Sequence, residues 1–100
     1  MSQIYEHRTT LTVSGGSTST TSLSVIHGLM QQLLIQANTS TTVFRASIVD
    51  DEDVVRMNWG FSTGELNEIG SFFPIVNRYK INITNASQTD TFKIIMAVKE

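Results

Sequence analysis

Apolar and polar residues alternate most strictly toward the C-terminal end of the chain. In Tyr79-Lys80-Ile81-Asn82-Ile83-Thr84, the residues Tyr79, Ile81 and Ile83 fall on one side of an extended backbone, because successive side chains of a strand point to opposite faces. The polar stretch Asn85-Ala86-Ser87-Gln88-Thr89-Asp90 predicts a turn. Residues 91–99 then resume the alternation, with Phe92, Ile94, Met96 and Val98 on one face and Lys93, Ile95, Ala97 and Lys99 on the other, which is half apolar. Two ribbons joined by a short polar connection predict an antiparallel hairpin. The middle of the chain repeats the signal: Phe44, Ala46 and Ile48 share a face, Asp50-Asp51-Glu52-Asp53 interrupts, and Val55, Met57, Trp59 and Phe61 share a face that reads as core. Ser62-Thr63-Gly64 is a second break. In Phe72-Phe73-Pro74-Ile75, Pro74 has no N–H for a ladder, which makes that segment an edge, a bulge or a connection.

The first forty residues carry a weaker pattern. Residues 9–13 alternate loosely, Ser14-Gly15-Gly16-Ser17-Thr18-Ser19-Thr20 predicts a flexible loop, and residues 22–27 fit a strand. Segment 25–37 fits two periods. Ile26, Leu29, Met30, Leu33, Leu34 and Ala37 match helical spacing with Asn38 as a C-cap. Gly28 would weaken that helix, and the flanking Ser/Thr-rich stretches favour β structure, so a strand is preferred. Roughly seven or eight short strands separated by turns predict an all-β, antiparallel β-sandwich of jelly-roll type. A small β-barrel, or a helix over 25–37, is the alternative. Residues 1–8 read as an N-terminal arm and residues 9–100 as one sandwich domain.

Composition narrows the classes of function. One hundred residues accommodate one core. Only 16% of them are charged, and a surface of hydroxyls and amides packs against neighbours with few charges to desolvate. The net charge of −2 and the lack of a Lys/Arg run argue against nucleic acid, whose affinity rests on phosphate contacts. The absence of cysteine excludes disulfide scaffolds, thiolate catalysis and Cys-ligated zinc. The segment 1–8 contains Glu6 and Arg8 and no apolar h-region, so no secretory signal is expected there. No apolar run approaches the roughly 20 residues that cross a bilayer, and synthesis in a cytoplasm is expected.

Candidate chemistry is sparse. Asp50-Asp51-Glu52-Asp53 offers hard oxygen donors for calcium, but four consecutive acids do not converge by themselves, and a solvated hairpin turn is the simpler account. A glycosidase pair drawn from this run with Glu65 or Glu68 lacks the burial that raises one carboxyl pKa. His7 and His27 are the only imidazoles, and no Gly-flanked serine elbow accompanies either. Gly15-Gly16 lacks the Lys-Ser/Thr pair of a phosphate loop. Neither catalysis nor a cofactor is expected. Trp59, Phe61 and Tyr79 would suit a sugar-stacking platform, although their parity with Val55 and Met57 favours a core position for Trp59 and Phe61.

Two apolar segments remain as contact candidates. Ile4 and Tyr5 are ill suited to a floating tail. With His7 and Arg8 they either add an edge strand to their own sheet or reach another subunit by β-addition. Phe72, Phe73 and Ile75 form the other cluster, which either covers a sheet end or enters a neighbour's groove.

The stretches Leu34-Ile35-Gln36-Ala37-Asn38-Thr39-Ser40-Thr41-Thr42-Val43-Phe44-Arg45-Ala46, Phe73-Pro74-Ile75, Tyr79-Lys80-Ile81-Asn82-Ile83-Thr84-Asn85-Ala86-Ser87 and Thr91-Phe92-Lys93 resemble small virion proteins of tailed bacteriophages. Such proteins are Cys-free, Ser/Thr-rich, all-β domains of about this length, and the resemblance spans about two thirds of the chain. It implies a capsid decoration or cement protein, or a tail accessory protein, usually in symmetric homo-oligomers. It also implies synthesis in the host cytoplasm, a place on the virion, and the major capsid protein or another virion protein as partner. It carries over no site residue. The expected function is therefore non-enzymatic binding to a protein lattice through Ile4, Tyr5, His7, Arg8, Phe72, Phe73 and Ile75. A carbohydrate-binding sandwich is the alternative.

Overall fold

Nine strands, and among the described residues no helix, make up the computed structural model, which describes residues 4–22 and 26–99. They are β1 (Ile4–Val13), β2 (Ser19–Ser22), β3 (Ile26–Ala37), β4 (Val43–Asp50), β5 (Val55–Asn58), β6 (Ser62–Thr63), β7 (Glu65–Asn77), β8 (Tyr79–Thr84) and β9 (Asp90–Lys99). All ladders are antiparallel.

The pairing follows one plan. β1 pairs β9, β2 pairs β8, β3 pairs β7 and β4 pairs β5, so the chain is a long hairpin doubled on itself. Rolling that hairpin adds the ladders β9–β3 and β8–β4. The result is one sheet in the order β1-β9-β3-β7, here sheet I, and a second in the order β2-β8-β4-β5, sheet II, with β6 a short addition to β4. This is the jelly roll that the pattern predicts. The two sheets keep four separate edges, so the structure is a sandwich and not the barrel alternative.

Alternate residues of both sheets meet in the interior. Phe44, Ile48, Ile81 and Ile83 from sheet II face Met30, Leu33, Ile35, Phe92, Ile94 and Met96 from sheet I, all fully buried. The Phe44 and Phe92 rings pack edge to face across the sheets at 4.9 Å between centroids, the orientation their quadrupoles favour.

Segment 25–37 resolves as strand from Ile26, and its helical spacing has a physical origin. The register with β9 shifts between Met30 and Gln32, so Met30 and Leu33 both point inward although three positions apart. A β-bulge of this kind imitates the helical period. Gly28, at φ +151, lies where an added Cβ would stand 2.5 Å from the Lys99 carbonyl oxygen, which only glycine permits.

Of the two readings of the N-terminal segment, residues 4–8 take the edge strand: they continue without interruption into β1, paired residue for residue with β9. Two other expectations change. The loop expected to be flexible at 14–20 is tied down: Gly16 N–H donates to the Ala86 carbonyl at 2.9 Å and Gly15 N–H to Thr89 Oγ1 at 3.0 Å, and β2 begins at Ser19. Of the face read as core, Met57 and Trp59 are half-buried against it, whereas Val55 and Phe61 are 57% and 63% exposed. The cause is position, since β5 is an edge strand, its register shifts between Ile48 and Val49, and the ladder ends at Asn58. The Arg45 guanidinium lies over the exposed Phe61 ring, 5.3 Å from its centroid, a cation–π contact.

Candidate interaction surface

The residues singled out in the sequence do not form one cluster. In β1, Ile4, Glu6 and Arg8 project to the outside of sheet I. Tyr5 and His7, paired with Val98 and Met96, project toward the rim of the interior. Arg8 donates from Nε and Nη2 to Glu6 Oε1 at 3.1 and 2.7 Å, an exposed pair. The side chains of Phe72, Phe73 and Ile75 lie outside the described residues. Their backbone belongs to β7, the opposite edge of the same sheet, where Phe73 pairs Met30 and Ile75 pairs Gly28. The two expected contact segments are therefore the two edges of sheet I, with β9 and β3 between them.

The surface spanning those edges is apolar in the middle. The ladders set Lys99 between Ile4 and Leu29, and set Pro74 beyond Leu29. The next outward rows are Glu6, Ala97, Gln32, Ile69 and Arg8, Ile95, Leu34, Asn67. Ile4 is 62% exposed, Leu29 41% and Ile69 69%, and Leu34, Ile95 and Ala97 are half-buried by their own neighbours. Charges border it as Glu6 and Arg8 along β1, Lys99 between Ile4 and Leu29, and Lys93 with Glu65 at the far end, and Gln32 donates to Asn67 Oδ1 at 3.0 Å within it. The outward face of an antiparallel sheet in water is normally polar, and a contiguous exposed apolar patch marks a contact surface.

Sheet II supplies the contrast. Its outward row is Thr20, Asn82, Ser47 and Asn58, with Thr20 Oγ1 donating to Asn82 Oδ1 at 2.6 Å. Thr84 lies beside Arg45 in the same ladder. That row is polar, although Phe61 beside Arg45 and Val55 at the β5 edge are exposed on the same side. The half-apolar second face of β9, with Ile95 and Ala97, was legible in the sequence. Leu29, Leu34 and Ile69 were missed, because only the register shows that they adjoin it.

The acidic turn has no converging carboxylates. Asp50 Oδ1 accepts from the Glu52 and Val54 N–H groups, each at 2.9 Å, and Oδ2 from Arg56 at 3.4 Å. The Val54 bond first, and then those of Glu52 and Arg56, hold the Asp50 carboxyl below its ordinary range against the opposing effect of burial. Asp53, at φ +63, pairs with Lys80. The run thus closes the β4–β5 hairpin, and among the described residues no group of three His, Asp or Glu side chains is placed to hold a metal ion. Trp59 Nε1 donates to Glu68 Oε2 at 3.4 Å and Tyr79 is buried, so these rings do not form a stacking platform.

Two shallow depressions of about 340 Å³ flank the end of β3. Thr10, Thr91 and Lys93 line one, Ser40, Thr63, Gly64 and Glu65 line the other, and Gln36, Ala37 and Asn38 border both. Hydroxyls and amides there offer hydrogen bonds to a polar neighbour, with no acid–base pair. No described helix is long and apolar enough to cross a membrane.

No family model matches the chain, and no curated protein matches its sequence. Among solved structures it is similar to a chain in the structure of infectious bursal disease virus Gx strain, at 12% identity and a TM-score of 0.41, over 100% of this chain and 32% of that one. The Gt strain gives 11% identity and a TM-score of 0.41 over 98% and 32%. The enzymatically active domain of tailspike protein 4 from Bacteriophage CBA120 gives 16% identity and 0.41 over 99% and 19%. The chain spans about a third of the two virus chains and about a fifth of the tailspike chain.

Proposed function

We propose that this chain is a non-enzymatic structural protein of a virus particle, a decoration or cement protein of a phage head, which binds a protein lattice through the outward face of sheet I. The observation that carries this reading is the group of apolar residues on the outward side of sheet I. Ile4, Leu29, Ile69 and Pro74 stand exposed there, with Leu34, Ile95 and Ala97 half-buried among them. A sheet face with apolar residues set among polar ones suits a wide, shallow contact, in which burial of many small areas replaces a deep pocket. The low charge of the chain and its resemblance to small phage virion proteins favour the same partner. The exposed margins Lys93, Lys99 and Glu65 provide a polar rim that fixes orientation.

Co-sedimentation with heads assembled from the major capsid protein of the same virus tests the reading. Leu29→Glu combined with Ile69→Glu places two charges on the face at exposed positions, so the fold should survive, as thermal unfolding will show. Binding to heads should fall at least about tenfold, since each desolvated charge costs more than about 1 kcal/mol. Undiminished binding of a folded double variant would remove sheet I from the contact.

A further inference from the structure

The four sheet edges are not equally protected. The edge strand β7 carries Pro74, and its pairing with β3 jumps from Phe73 opposite Met30 to Ile69 opposite Gln32. Edge strand β5 is four residues long and breaks register at Ile48/Val49. The described part of β2 pairs over four residues. Short strands, prolines, bulges and charged side chains are the devices that keep an edge from pairing with another chain. β1 lacks the first three, and its charges are one of each sign. It makes ten consecutive pairs with β9 without a shift, and it contains neither Pro, Gly nor Lys.

The charges on β1 identify what fits that edge. Its only ones are Glu6 and Arg8, both on the outward side and two positions apart. We infer that β1 pairs antiparallel with β1 of a second copy of this chain, about a two-fold axis through His7. In that register Glu6 stands opposite Arg8 of the second copy and Arg8 opposite its Glu6. Ile4 then faces Thr10 and Tyr5 faces Thr9. Centring the axis on Glu6 or on Arg8 would set like charges face to face, which disfavours those registers. Self-complementarity about a dyad is what a two-fold interface requires. The product is one continuous eight-stranded sheet, in which the apolar outward faces of the two copies join edge to edge. This inference concerns a different surface from the lattice contact proposed above and stands or falls separately from it.

Sedimentation velocity should give twice the 11.1 kDa chain mass. Glu6→Arg and Arg8→Glu, taken singly, convert two attractive pairs into two repulsive ones and should each weaken the dimer about tenfold. The combined swap restores opposite charges across the dyad and should restore the dimer. Because the chain has no cysteine, His7→Cys introduces a single thiol that should cross-link to itself on oxidation, directly opposite partners in a ladder lying within disulfide reach. Thr9→Cys, opposite Tyr5 of the second copy, should not. A monomer at every concentration would overturn the inference. So would a dimer indifferent to the single charge reversals, or one that Thr9→Cys links as readily as His7→Cys.

Discussion

Among the described residues Asp90 is the one acidic side chain buried with the core, 8% exposed, and its removal is the sharpest test of how the loops are held. Its Oδ2 accepts from Thr42 Oγ1 at 2.7 Å and from the Thr39 N–H at 3.0 Å, and Oδ1 accepts from the Thr91 N–H at 2.8 Å. Thr42 is itself fully buried and also receives a bond from Gln88 Nε2 at 2.8 Å. The carboxylate thus clamps the β3–β4 loop onto the start of β9. In Asp90→Ala, the Thr42 hydroxyl and the Thr39 N–H lose a charged acceptor. With each such bond contributing about 1.5 kcal/mol or more, the two from the loop together give a loss of about 3 kcal/mol. For a domain of this size that lowers Tm by about 12 °C or more. Asp90→Asn keeps an acceptor of the same shape and should lose about half as much.

The pH dependence follows from the same bonds. Burial raises the Asp90 pKa, but the hydrogen bonds from Thr42, Thr39 and Thr91 outweigh it and leave the carboxyl below its ordinary value. A depressed folded-state pKa contributes stability that is complete above the unfolded value of about 3.9 and is lost as pH falls through the folded one. The Asp90 contribution to the urea midpoint, read as the difference between native protein and Asp90→Asn, should therefore be constant from neutral pH down to about 5, and below about 4 the native protein should lose stability more steeply than Asp90→Asn. Asp50, also depressed, retains part of the slope in that variant. Equal midpoints for native protein and Asp90→Ala at pH 7, or identical acid slopes for native protein and Asp90→Asn, would refute the clamp.

Two further perturbations probe the core and the loop geometry. Phe44→Ala removes a fully buried ring and its edge-to-face partner across the sheets. It should cost about 4 kcal/mol in chemical denaturation. Gly64→Ala places a Cβ 2.5 Å from the Ser40 carbonyl oxygen at φ +73. The left-handed conformation alone costs about 1–2 kcal/mol, and the displaced loop adds to it, because Gly64 also donates to the Thr42 carbonyl and accepts from the Ala37 N–H. Thermal unfolding should show a lowered Tm with unchanged far-UV circular dichroism.

Much of the architecture was legible because burial on one side of a strand leaves a two-residue trace. Residues 79–84 and 91–99 show it without interruption, and both are central or fully paired strands. The trace failed where the ladder is irregular. Met30 and Leu33 share a face across a bulge, and Leu29 with Leu34 makes the other side of β3 apolar as well, so the strand resembled a helix. Phe61 kept the parity of its neighbours after the ladder had ended. The contact surface was half visible, as Ile95 and Ala97 in β9. Its other members, Leu29, Leu34 and Ile69, come from strands far apart in the sequence.

Alternation, composition and turn residues by themselves determined that the chain is all-β, which residues of β4, β8 and β9 face inward, and that no cysteine or basic run supplies chemistry. Those properties are local, each being fixed by a residue and its near neighbours. Only the tertiary structure decided the order β1-β9-β3-β7, the unshifted ten-residue pairing of β1 with β9 at the sheet edge, and the union of scattered apolar residues into one outward face. Ladder hydrogen bonds between backbones are the same for any sequence, so nothing in the alternation names the partner. Side-chain packing across the interior selects it, and the outer face follows from that choice.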